Sequence, residues 1–294
     1  MKRGLFVIAS LLFIFLSTNL VSSAILFESE WNNSLGTSDT ALLDGSTWNH
    51  VSGSGTLNEV IIATGLDFPT TNVFRVVASY SGNPVQEIYT DQVRAGPAVS
   101  GSGPLPVPDV GESLYYRWYW RTLIDDSIPN QSTSHPIQDG LAAGDTNWWF
   151  DPNPRTNGTF VPRINVNSNA QNQGGFRFWD SSTPLDKDVT YRVEFQLNRI
   201  GTSTMNIHVR VYNSSNFLIL DDDDFHGQDA SSGVTLASNP TLNLYLVDNL
   251  ADFQVGTNGP GWVVGEANFP FPMWDIGAVC VRNDTWCGPY SGGI

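Results

Sequence analysis

Arginine and tyrosine alternate along the stretch from Leu114 to Leu123, and the chain's clearest chemistry starts there. At a period of two, Tyr115, Arg117, Tyr119 and Arg121 fall on one face and Leu114, Tyr116, Trp118 and Trp120 on the other. Guanidinium forks grip carboxylates through paired hydrogen bonds, and aromatic rings attract cations and pack on apolar surfaces. Two later stretches repeat the pattern. Arg192, Glu194, Gln196 and Asn198 oppose Tyr191, Val193, Phe195 and Leu197, and Asn206, His208, Arg210 and Tyr212 oppose Met205, Ile207, Val209 and Val211. Arg199 to Ser203 supplies a turn, so these two stretches are expected to pair as an antiparallel hairpin. One such row alone would simply face water. Three of the same character point to a shared groove wall.

The carboxylates weigh against glycoside hydrolysis. A retaining mechanism needs two close carboxyl groups, whereas Glu194 stands on its row between Arg192 and Gln196. Proton abstraction next to a uronate carboxylate asks instead for a cation, a base and an acid. Arg117, His208 and Tyr119 could fill those three roles and are the candidate catalytic residues. Tyr115, Arg117, Tyr119, Arg121, Arg192, Glu194, Gln196, His208 and Arg210 are the candidate ligand-binding set. His50, His135 and His226 each sit beside turn residues and carry no such expectation. The run Asp221 to Asp224 has Phe225 and His226 where a calcium loop needs an oxygen ligand and a glycine, so it reads as a solvated turn. There is no Gly-x-Ser-x-Gly elbow, His-Glu-x-x-His pair or phosphate-binding glycine loop.

These residues must be positioned by strands. Segments of four to nine residues rich in β-branched and aromatic side chains recur between Gly, Pro, Asn, Asp and Ser clusters, and helical periodicity is nearly missing. The pattern predicts an all-β, two-sheet antiparallel sandwich. Within it, 272–281 and 285–290 are expected as strands, 136–143 as a short helix and 96–110 as a long loop. In Trp148-Trp149-Phe150, strand alternation turns one tryptophan away from the core, where it could act as a stacking platform.

Residues 1–24 begin with Lys2 and Arg3, continue through an apolar run and end Ser22-Ser23-Ala24, the form of a signal peptide. Residues 25–294 then read as a single domain, secreted and monomeric, with no membrane insertion. Removing 1–24 leaves 12 basic against 29 acidic residues, a net charge of −17, which disfavours nucleic acid as a partner. The only two cysteines, Cys280 and Cys287, are expected to form a disulfide across a C-terminal hairpin. Five Asn-x-Ser/Thr sequons start at Asn32, Asn130, Asn157, Asn213 and Asn283.

The Leu114 to Trp120 strand, Thr190-Tyr191-Arg192-Val193-Glu194, Trp274-Asp275-Ile276 and Gly288-Pro289-Tyr290 together resemble the concanavalin A-like lectin/glucanase superfamily. Exported polysaccharide-lyase-like members look nearest. The resemblance implies a jelly roll whose concave sheet forms a saccharide groove, and a structural calcium for which Glu28 and Asp275 are the candidate ligands. The hydrolase motif Glu-x-Asp-x-x-Glu is not found, and the lyase motifs do not match, His135-Pro136-Ile137-Gln138 being only a superficial echo. The leading expectation is a secreted carbohydrate-binding protein recognising a polysaccharide, an acidic one included. The alternatives are a lyase cleaving a uronate-containing polysaccharide by β-elimination and a non-catalytic extracellular structural module.

Overall fold

A computed structural model describes residues 25–29, 49–51, 58–64, 66–78, 92–95, 108–123, 137–140, 146–154, 157–167, 176–181, 183–201, 204–223, 228–229, 234–235, 242–243, 252–256 and 271–291. The first strands are β1 (Ile25–Ser29), β2 (Asn49–Val51), β3 (Asn58–Thr64), β4 (Asn72–Ala78), β5 (Gln92–Ala95) and β6 (Ser113–Thr122). Next come β7 (Ile137–Gly140), β8 (Thr146–Pro154), β9 (Thr159–Asn167), β10 (Phe176–Asp180), β11 (Leu185–Asp186), β12 (Tyr191–Gly201) and β13 (Thr204–Asn213). The last are β14 (Leu218–Asp222), β15 (Gln228–Asp229), β16 (Val234–Thr235), β17 (Leu242–Asn243), β18 (Asp252–Gly256), β19 (Phe271–Ile276) and β20 (Val279–Arg282).

They form two antiparallel sheets. The first runs β14-β13-β12-β6-β19-β4-β3, with β20 also on β6, β1 on β20 and β17 on β13; the second runs β16-β15-β10-β9-β8-β7-β18-β5-β2, with β11 on β9. The all-β, two-sheet antiparallel architecture expected from the sequence is the one present.

The sheets meet through aromatic rings carried by β6 and β8. Tyr116, Trp118, Trp120, Trp148 and Phe150 are all fully buried. Trp118 stacks on Trp148 at 6.0 Å between ring centroids, while Tyr116 meets Trp148 and Trp120 meets Phe150 edge to face, each at 4.8 Å. Such offset and edge-to-face pairs add about 0.5–1.5 kcal/mol each beyond the area they bury. On β6 these rings are the even-numbered residues, so Tyr115, Arg117, Tyr119 and Arg121 stand on the opposite face.

The expected strand 272–281 is two strands. Its first half, β19, pairs with Arg121 and neighbours; its second half, β20, pairs with Tyr115 to Arg117. The break falls at Gly277, where a Cβ would lie 2.6 Å from Phe68 and 2.8 Å from the Tyr119 Cβ. Only glycine lets the backbone come this near β6. The helix expected near 136–143 is strand β7, paired in the second sheet, because Ile137 is needed in the core. The expected strand 285–290 is irregular chain. Of the expected loop 96–110, residues 108–110 are irregular and the rest lies outside the described residues, as do the expected signal peptide and the sequons at Asn32 and Asn130.

Trp118→Ala should lower the unfolding free energy by about 3–5 kcal/mol through loss of packing and the cavity left behind. Phe217→Ala, at a residue 73% exposed, should change it by less than about 0.5 kcal/mol. Denaturant titration of the two variants checks the contrast.

Candidate functional site

The three polar rows read from the sequence do share one sheet. β12 lies between β6 and β13, and the register sets Arg117 beside Glu194 and Glu194 beside Arg210. On one side of that line stand Tyr115, Gln196 and His208; on the other stand Tyr119, Arg192 and Tyr212. All nine sit on the face turned away from the aromatic core.

That face is not an open groove. Arg117 is 2% exposed, Tyr119 5%, Arg192 4% and Glu194 1%. The physical reason is the chain beyond β20, which turns back over β6, β12 and β13. Arg117 donates from Nη1 to the Gly288 carbonyl at 3.3 Å and from Nη2 to Glu28 at 2.9 Å. The Tyr290 amide donates to the Tyr119 hydroxyl at 2.9 Å, and the Gly288 amide donates to Glu194. Trp286 lies under the Arg210 guanidinium at 4.2 Å, with Tyr115 and His208 against its ring at 5.4 and 5.1 Å. The disulfide Cys280–Cys287 ties this segment to β20. The bond is as expected, but it closes an irregular strap and not a hairpin.

The charges beneath the strap are paired within the chain. Arg192 Nε lies 3.1 Å from Glu194, though not aligned as a hydrogen bond; its guanidinium donates to Asn216 and sits 3.8 Å above the Tyr212 ring. Gln196 donates to Ser113 and to the Tyr115 hydroxyl. Burial pushes the Glu194 carboxyl above the ordinary carboxylate range, and Arg192, Arg117, Arg210 and the Gly288 amide only partly offset it. At the rim, His208 and Arg210 both reach Asp221 of β14. Burial raises the Asp221 pKa, but these two partners outweigh it and leave the carboxyl below its usual range. Part of the acidic run is thus a strand residue that binds His208 and Arg210.

As catalytic candidates, Arg117 and Tyr119 are spent on Glu28, Gly288 and Tyr290, while half-buried His208 is held by Asp221. Arg121, also half-buried, lies beside Asp275 in the register. Both candidate calcium ligands are taken by arginines. Asp275 is fully buried and takes both Nε and Nη2 of Arg75, at 2.7 and 2.8 Å. Glu28 is held by Arg117. Through the register, Asp275 stands opposite Arg121 and Glu28 stands, by way of Cys280, in line with Arg117. The two positions are therefore about 13 Å apart along β6 at the usual strand rise and cannot share an ion. Among the described residues no cluster of three or more His, Cys, Asp or Glu could hold a metal.

The second sheet carries a row that sequence reasoning missed. Asn49, Arg94, Gln254, Gln138, Trp149 and Asn165 are successive cross-strand partners on β2, β5, β18, β7, β8 and β9. Val93, Val255, Ile137 and Phe150 form the adjacent row. Ile137 and Phe150 are core, and the first row occupies the alternate backbone positions on the same strands. The short segments Gln92-Val93-Arg94 and Phe253-Gln254-Val255 do alternate in sequence, which was the available signal.

No family model and no curated protein matches the chain. Among solved structures, an endo-β-1,4-glucuronan lyase from the fungus Trichoderma reesei aligns with 88% of this chain and 95% of its own, at 12% identity and a TM-score of 0.43. A protein of unknown function from Shewanella oneidensis MR-1 aligns over 92% of both chains, at 16% identity and 0.42. An endo-1,3-β-glucanase from Streptomyces sioyaensis covers 90% and 98%, at 11% and 0.45. At these scores none of them lends this chain an activity, and the fold stands on its own strands.

Two outcomes follow from the buried charges. Arg117→Ala removes the guanidinium that holds Glu28 and one of the three arginines that offset Glu194, and should destabilise by about 3 kcal/mol, measured by denaturant titration. Because the folded-state pKa of Glu194 lies above its unfolded value, the folded state holds the extra proton between the two values. Stability contributed by this group is present at low pH and falls as pH rises through that window. As pH rises from the ordinary carboxylate range through this raised value, wild type should therefore lose stability relative to Glu194→Gln; a difference that moves the other way would show that the arginines, not burial, govern this carboxyl.

Proposed function

We propose that the protein is an exported polysaccharide-binding protein that seats its ligand across the outward face of the second sheet. The observation that carries this reading is the register row Asn49, Arg94, Gln254, Gln138, Trp149 and Asn165. Five steps of about 4.8 Å between neighbouring strands make the row about 24 Å long. An extended chain of sugars matches that length, whereas a compact metabolite would leave most of it unused. The residue types suit the ligand: amides for hydroxyls, a guanidinium for a hydroxyl or carboxylate, and an indole for the apolar face of a sugar ring. Export is supported by the apolar N-terminal run and by the disulfide, which persists in oxidising surroundings.

Binding is favoured over cleavage. A lyase must take and return a proton near neutral pH, and the side chains named in this row are a guanidinium, amides and an indole, none of which does so. The corresponding face of the first sheet does contain tyrosines, a histidine and a glutamate, but the strap lies over its centre.

Affinity electrophoresis against a panel of neutral and uronate-containing polysaccharides tests the reading. Arg94→Ala and Trp149→Ala should each weaken binding to the best ligand by about tenfold while leaving the melting temperature near that of wild type. Unchanged binding by both variants contradicts the placement of the ligand. Release of an ultraviolet-absorbing unsaturated uronate product would establish the lyase instead, and absence of binding to every glycan would favour the structural module.

A further inference from the structure

We propose that residues 283–291 are a detachable cover, locked shut by the Cys280–Cys287 disulfide, over a preformed polar face of the first sheet. The burial pattern is that of a lid. From Asn283 to Ser291 every residue is half-buried or exposed, while Arg117 and Glu194 directly beneath are at most 2% exposed. A segment that belonged to the core would bury its own side chains. This one instead removes water from charged groups that belong to other strands.

The contacts that hold it are polar or aromatic. They are the Gly288 carbonyl on Arg117, the Gly288 amide on Glu194, the Tyr290 amide on the Tyr119 hydroxyl, and Trp286 against Arg210, His208 and Tyr115. Opening would exchange each hydrogen bond for one to water and would rehydrate two guanidiniums and a carboxylate. Such exchanges nearly balance, because the desolvation cost of a buried ion offsets much of what its partners return. Glu194 already shows the imbalance in its raised pKa.

Chain connectivity decides the balance. The disulfide joins residues seven apart and holds Trp286 and Gly288 next to their partners at a high effective concentration. Cys280 is buried in β20, whereas Cys287 is half-buried in the cover, so the less buried half of the bond is on the moving part. A dithiol reductant would attack Cys287, displace the Cys280 thiolate and leave two protein thiols as the reductant becomes a cyclic disulfide. The face exposed would persist, since Arg117, Glu194 and Arg210 are aligned by strand pairing and not by the cover.

Amide hydrogen exchange on the full chain, oxidised and then reduced with dithiothreitol, tests the proposal. Protection at Gly288 and Tyr290 should fall at least tenfold on reduction, while amides of β6 and β12 keep theirs. The Cys280→Ser/Cys287→Ser double variant should behave as the reduced protein, and Trp286→Ala with its disulfide intact should stay closed. Retained protection at Gly288 and Tyr290 after reduction overturns the proposal. So does collapse of β6 and β12 along with them, which would make the disulfide part of the core's stability and not a lock.

Discussion

A guanidinium taken out of water must recover its hydrogen bonds from the protein, and the outer face of the first sheet is organised by how Arg117 does so. Its two Nη groups reach Glu28 on β1 and the Gly288 carbonyl in the C-terminal strap. Strand β6 thereby ties both ends of the described chain to one residue. Glu194 beside it accepts from the strap and faces Arg192, so the strap is laid down over charge and not over apolar surface. A face that looks made for a ligand in sequence is thus used for an internal contact.

The inner face of the same strand works by the opposite physics. Trp118 and its neighbours meet Trp148 and Phe150 without any charge, and this contact fixes β8 relative to β6. Once Phe150 is inward, β7, β18 and β5 follow in register with Ile137, Val255 and Val93 on the same row. The row of Trp149, Gln138, Gln254 and Arg94 takes the alternate backbone positions beside it. The aromatic core therefore sets the placement of the proposed saccharide face as well as the fold.

Much of this was legible in the sequence. The period-two alternation of β6, β12 and β13 gives the right faces and the right hairpin, since one buried face specifies register strongly. What alternation cannot say is what lies over a polar face. The residues that seal Arg117 and Glu194 are Gly288 and Tyr290, about 170 and 95 positions further along, and backbone groups of a strap carry no pattern a sequence reading could find. The Arg94–Gln254–Gln138 row was hidden for a related reason. It is assembled from strands of four, five and four residues that become neighbours only through non-consecutive pairing. The helix expected at 136–143 shows the same limit, for a four-residue strand is too short to display its period.

The most direct measurement is an exchange footprint of the intact, oxidised protein with and without the polysaccharide it binds most tightly. The account predicts new amide protection confined to β5, β18, β7 and β8, with β12 and β13 unchanged. Protection appearing on β12 and β13 instead would contradict it, and would place the ligand on the Arg117 face after all.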